Sequence, residues 1–518
     1  MIVGLSLGLA LAGCTPKADT GTQVKETGLT RTQAPVAQVA DPYYTAAQAS
    51  VLARAGGTAP AAKARNIILF IGDGMGVSTV TAARIHGGQM KAVDGVSYRL
   101  AMETLPYSAF SKTYSHDTIV ADSAATATAL VSGVKTGARL IGVTSDAAFG
   151  NCASVAGREA TTLFELAEAA GLATGLVSTT RLTHATPASA YAKTPNRDWE
   201  DAPVDGCPDI ASQFVDWKAG DGFEVALAGG RSVFLPNTVA DPEYADKTGG
   251  REDGRNLVEA WQGTANDRAY VWDKSGFEAL DFTSPVRVLG LFEPSHMEFE
   301  ADRVADGTPN EPSLAEMTKA AITRLSQDTD GYVLMVEGGR IDHAHHGGNA
   351  ARALGDTLAF DEAIATALGM TNAADTLILV TADHSHTLVI QGYQSRNTPI
   401  LGLAGMGPGA LTRAADGKPY TTLAYTNGPG APCAGLSNPA EPCVRPDPSE
   451  GDTTALDYRQ QAVIPLASET HAGEDVPVFA SGPGAELVRG VMEQHEIFHV
   501  LAYAAGLVGS APTPPAQP

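Results

Sequence analysis

The sequence predicts an α/β fold: a three-layer sandwich with a mostly parallel central sheet, helices on both faces and irregular insertions. Three observations predict it. Five apolar runs are continuous rather than alternating, the mark of strands buried on both faces of a parallel sheet. Segments with helical periodicity precede three of those runs, giving the strand and helix alternation of a doubly wound sandwich. A chain of 518 residues, 44% hydrophobic and 18% charged, can bury a core of that size.

In chain order the predicted strands are "NIILFIGDG" (66–74), "LATGLVSTT" (172–180), "YVLMVEGG" (332–339), "TLILVTADH" (376–384) and "VPVFASG" (476–482). The helical segments "TTLFELAEAAGL", "SLAEMTKAAITRLSQ" and "ARALGDTLAFDEAIATALG" lead into the second, third and fourth. A small-residue helix is expected from Ser123. The stretches at about 199–285 and 400–460 read as insertions in one large domain spanning 65–508.

At the N-terminus, residues 1–14 form an apolar run too short to cross a bilayer. It ends in Leu11-Ala12-Gly13-Cys14 and reads as a secretory signal resembling the bacterial lipobox, with Cys14 lipidated. The chain is therefore expected to be exported and lipid-anchored, in the outer membrane or periplasm of a Gram-negative bacterium. Residues 15–64 read as a tether with a short helix near Tyr43–Ala55, and 509–518 as a disordered tail. The remaining cysteines, Cys152, Cys207, Cys433 and Cys443, suggest two disulfides in an exported chain. Three pairings are possible, Cys152 with Cys207 and Cys433 with Cys443 being the simplest. A net charge of −23 argues against nucleic acid as a partner, because phosphate backbones need stripes of Lys and Arg.

Carboxylates and histidines fall at the strand ends. Asp73 follows the first predicted strand, His184 and Thr186 the second, Glu337 the third, and Asp383 and His384 the fourth, while His471 precedes the fifth. Sites in open α/β sheets form beyond the carboxyl ends of the strands, so most of these residues should meet at one rim. In "EGGRIDHAHHGGN", Asp342 and His346 are four apart and share a helical face. Carboxylate and imidazole ligands suit zinc, and an all-oxygen set such as Asp73, Thr186 and Glu337 suits magnesium. His116, His345 and His386 are expected beside the ligands or in structural roles. A Ser/His/Asp hydrolase is rejected because Ser115-His116-Asp117 are adjacent and Ser123 lacks a GxSxG elbow.

The motifs "NIILFIGDGMG", "DSAATATALVSGVKT", "THATPAS", "VEGGRIDHAHHGGN", "TADHSHT" and "ETHAGEDVPVFASGPG" resemble, in order, those of the alkaline phosphatases. The resemblance implies an alkaline phosphatase-like catalytic domain that hydrolyses phosphate monoesters through a phosphoserine at Ser123. It implies a first zinc on Asp342, His346 and His471, a second on Asp73, Asp383 and His384, and a magnesium on Asp73, Thr186 and Glu337. Arg197, in "KTPNRDW", would clamp the phosphate. His184 and His343 occupy positions that vary within the family, so the ion at the third site stays open. Asp122 is read either as the cap of the Ser123 helix or as the partner of Arg197. The family is commonly dimeric, so a homodimer is expected. The alternatives are a related phosphodiesterase, disfavoured by Thr186 and Glu337, and a surface lipoprotein that binds phosphate or metal without turnover.

Overall fold

Ten strands form the central sheet: β1 Asn66–Gly72, β2 Tyr107–Lys112, β3 Ala173–Arg181, β4 Val225–Gly229, β5 Arg268–Val271, β6 Arg287–Leu291, β7 Tyr332–Gly338, β8 Thr376–Ala382, β9 Val476–Ser481 and β10 Gly490–Glu493. Their order is β10-β2-β9-β8-β1-β7-β3-β4-β6-β5. Every pairing is parallel except those of β9, which runs against both β8 and β2. The structure is a computed structural model that describes residues 31–56, 64–204, 206–307, 309–407, 409–432 and 443–508.

Alternation of side chains along β1 shows why the predicted runs are apolar throughout. Ile67, Leu69 and Ile71 enter one core with the helices Leu163–Ala169, Ser123–Ser132 and Glu496–Ala505. Ile68 and Phe70 enter the opposite core with Leu314–Leu325 and Ala350–Met370. Both faces of the central strands are therefore dry, and the sandwich has three layers. Among the described residues no helix is long and apolar enough to cross a membrane.

The outlying segments depart from expectation. The helix expected near Tyr43–Ala55 forms at Pro42–Arg54, but it is no free spacer, because Tyr44 and Val51 are buried in the first core. The stretch read as an insertion at 199–285 supplies β4 and β5 to the central sheet. These strands have only five and four residues, too short for their apolar pattern to stand out. The 400–460 region does stand apart. Its Leu423–Gly428 strand joins Leu388–Ile390 and Ala462–Pro465 in a separate three-stranded sheet. Cys152 and Cys207 form the expected disulfide. Cys443 is also disulfide-bonded, while Cys433 and Cys14 lie outside the described residues.

Candidate active site

Strand register brings the acids together. Gly72 pairs with Ala382 across β1 and β8, so Asp73 and Asp383, the next residues, emerge side by side. Glu337 pairs with Ile71 on one side and Ser178 on the other. Because β9 is antiparallel, its N-terminal end reaches the same rim as the C-terminal ends of its neighbours. The preceding His471 there pairs with His386 in a short two-stranded ladder.

The first cluster contains Asp342, His346, His386 and His471, with ligand atoms within 4.8 Å of one another. His346 Nδ1 lies 2.6 Å from the Glu469 carbonyl, and His471 Nδ1 lies 2.9 Å from the Ala121 carbonyl. A carbonyl can only accept, so both Nδ1 atoms carry protons, and in the neutral imidazoles both Nε2 atoms present lone pairs. Those Nε2 atoms are 3.2 Å apart, and lie 3.4 and 3.3 Å from Asp342 Oδ1. Such converging electron pairs call for a cation. His386 differs, because Asp342 and Glu469 engage its two nitrogens at 2.7 and 2.6 Å. It orients the Asp342 carboxylate.

Asp73, Asp383 and His384 form a second buried cluster, and Asp73, His184 and Glu337 a third. His384 Nε2 is 3.3 Å from both Asp73 Oδ1 and Asp383 Oδ2. Ser123 Oγ lies 3.1 Å from His384 Nε2 and 3.5 Å from Asp73 Oδ1. Asp73 Oδ2, Thr186 Oγ1 and Glu337 Oε1 are buried without a hydrogen-bond partner, an arrangement that fits an oxygen-ligated cation. Burial, then the charges of Asp383, Asp342 and Glu337, raise the Asp73 carboxyl well above its usual range, against the pull of Arg197. Burial lifts Glu337 to about 7 although Ser178 and Thr180 donate to it.

Ser123 opens a helix whose ten residues are all buried. Small side chains allow that close approach, and Gly133 ends the helix at φ 76°, where an added Cβ would meet Phe498 at 2.7 Å. Both readings of Asp122 hold. Its Oδ2 accepts from Ala124 N–H at 3.3 Å and from Arg197 Nη1 at 2.9 Å, while Oδ1 accepts from Arg139 N–H. Arg197 Nη2 meets His184 Nε2 at 3.0 Å. His343 receives Arg340 Nη1 at 3.1 Å and lies 5.5 Å from the His184 ring.

A family model described as alkaline phosphatase matches residues 64–507. The chain belongs to the alkaline phosphatase family. It is 44% identical over 455 residues to the tissue-nonspecific alkaline phosphatase of Gallus gallus, covering 85% of this chain and 84% of that protein. The alkaline phosphatase of Gadus morhua is 43% identical, with 86% and 92% covered. The structure of Thermus thermophilus alkaline phosphatase superposes with a TM-score of 0.63 at 26% identity, over 88% of this chain and 94% of that one. As an alkaline phosphatase, the chain is a phosphoric monoester hydrolase.

Sequence reasoning located the acids and histidines at the rim but missed their supports. Glu469, two residues before His471, anchors His386 through its carboxylate and His346 through its carbonyl. His296, whose ring is 4.2 Å from that of His343, gave no signal because it stands in a loop far away in sequence.

Proposed function

We propose that this alkaline phosphatase acts through a phosphoserine on Ser123, with zinc on Asp342, His346 and His471, zinc on Asp73, Asp383 and His384, and magnesium on Asp73, Thr186 and Glu337. The observation that carries this reading is the position of Ser123 Oγ, at a helix N-terminus and within 3.1 to 3.5 Å of the second cluster. Mixed carboxylate and imidazole sets suit zinc, and the unpartnered oxygens of the third set suit magnesium.

Ser123 Oγ attacks phosphorus in line, forming the Ser123 Oγ–P bond as the ester P–O bond breaks and the alcohol departs. Water then attacks the phosphoserine, releasing inorganic phosphate and restoring the hydroxyl. Arg197 presents planar donors to two phosphoryl oxygens, and its ion pair with Asp122 fixes the fork beside Ser123. Cations bound by the three sets would lower the pKa of the serine hydroxyl and of the attacking water, and would stabilise the leaving oxygen.

The same reading extends to the chain's setting. The Cys152–Cys207 disulfide is in keeping with an oxidising compartment. Lipidation of Cys14, a place in the outer membrane or periplasm, a Cys433–Cys443 bridge and a homodimer complete the proposal.

The test is hydrolysis of p-nitrophenyl phosphate at alkaline pH by the purified chain with zinc and magnesium. EDTA should abolish it, and Ser123→Ala should lower turnover at least about 10³-fold. Full turnover by Ser123→Ala would overturn the phosphoserine route.

A further inference from the structure

We infer that Gln494 is a positioning residue for the second metal ligand pair, acting through the backbone that joins Asp383 to His384. The inference rests on the reading of those two residues as ligands. Gln494 is fully buried, and its Nε2 donates to the Asp383 carbonyl at 2.7 Å. The opposite edge of the same peptide is also held, because His384 N–H donates to Asp383 Oδ1 at 2.9 Å. A peptide unit is planar, so pinning its C=O and its N–H fixes the orientation of the plane between two successive ligands. The carboxylate itself is steadied by Gly74 N–H at 3.1 Å and Thr126 Oγ1 at 3.2 Å.

Gln494 comes from a part of the chain remote from the ligands, between β10 and the Glu496–Ala505 helix. Its neighbours hold it in place. Glu493 pairs with Lys112 at 2.6 Å, Glu496 pairs with Arg54 at 2.5 Å, and the His495 ring meets Tyr43 edge-on. The amide orientation is unambiguous, since only its nitrogen can donate to a carbonyl. Partners that orient metal ligands from outside the coordination sphere are worth about 10- to 100-fold in metal affinity or activity.

The experiment uses the full chain and three variants. Gln494→Met keeps the length and removes the donor, Gln494→Asn retracts the amide by one methylene, and Asp241→Asn removes a distant buried ion pair. Zinc retained per chain is measured after dialysis against graded chelator, alongside kcat and KM for p-nitrophenyl phosphate. Gln494→Met should lose about 10- to 100-fold in zinc affinity, with kcat falling more than KM changes, and Gln494→Asn should lose less. Asp241→Asn should keep wild-type zinc affinity despite lower stability. Wild-type zinc retention in Gln494→Met would overturn the inference, as would a loss matched by Asp241→Asn. If Gln494→Met fails to fold, Gln494→Asn alone decides it on the same zinc readout. Wild-type hydrolysis that survives zinc removal would instead overturn the ligand reading, and that result needs no Gln494 variant.

Discussion

The rim that carries the candidate metal clusters and the β4 side of the sheet both bury carboxylates, but they balance the charge differently. Beside β4, Arg231 pairs with Asp241 at 2.7 Å and Glu243 at 2.5 Å, and Arg251 pairs with Asp209 at 2.9 Å and Asp253 at 2.5 Å. Burial alone would raise Asp241 and Asp209, yet the guanidinium partners bring both below the usual carboxylate range. At the rim, Asp73 is raised by burial and three neighbouring acids, with Arg197 opposing. Protein cations balance the carboxylates beside β4, whereas the rim groups its carboxylates with imidazoles in clusters that could hold metal ions. Charge is a structural matter on one side and a functional one on the other.

The sharpest way to break this comparison is Asp73→Ala, which removes the carboxylate shared by two clusters. Losing several kcal/mol of transition-state stabilisation should lower kcat/KM for p-nitrophenyl phosphate by about 10⁴-fold or more. Metal analysis should show the second and third sites depleted. Next in size, Asp241→Asn leaves Arg231 buried with one carboxylate fewer. It should cost about 3–5 kcal/mol in urea denaturation, while kcat of the folded enzyme stays at the wild-type value. Equal effects of the two variants on kcat would erase the distinction between the regions.

A finer test is Arg197→Lys, which keeps the charge and loses the fork. A loss of one charge-assisted hydrogen bond, about 1.5–3 kcal/mol, predicts a fall in kcat/KM of roughly 10- to 100-fold. A separate test, read in stability rather than turnover, concerns Lys135, whose side chain is 1% exposed. Burial lowers its ammonium from 10.5 to about 8, with Glu493 opposing. Between those values the unfolded chain keeps a proton that the folded chain has released, so this lysine makes stability rise with pH. Denaturation midpoints at pH 7.5 and 10.5 should show a smaller rise for Lys135→Met than for the wild type.

Much of the site was legible because its residues occupy the ends of strands that announce themselves. The runs at β1, β3, β7, β8 and β9 are apolar on both faces, and Asp73, Asp383 and His384 follow them directly. Other elements were hidden for identifiable reasons. β2 has an irregular exposed and buried pattern and β10 is a four-residue edge strand, so neither shows a continuous apolar run. The Pro42–Arg54 helix was legible, but its docking was not, because Tyr44 and Val51 read the same in a free amphipathic helix. Gln494 works through a backbone carbonyl, an acceptor that every residue possesses, so no residue type flags it.

By itself, the sequence determined the sandwich, the main strands, the order of the motifs and the residue types able to hold cations, because apolar periodicity and strand-end placement are local properties. Only the tertiary structure decided that β9 runs antiparallel, bringing His471 to the rim. It alone decided that Asp122 both caps the Ser123 helix and holds Arg197, and that two imidazole Nε2 atoms face Asp342. These depend on register and distance between segments far apart in the sequence, where ångströms decide whether like charges repel or share a cation.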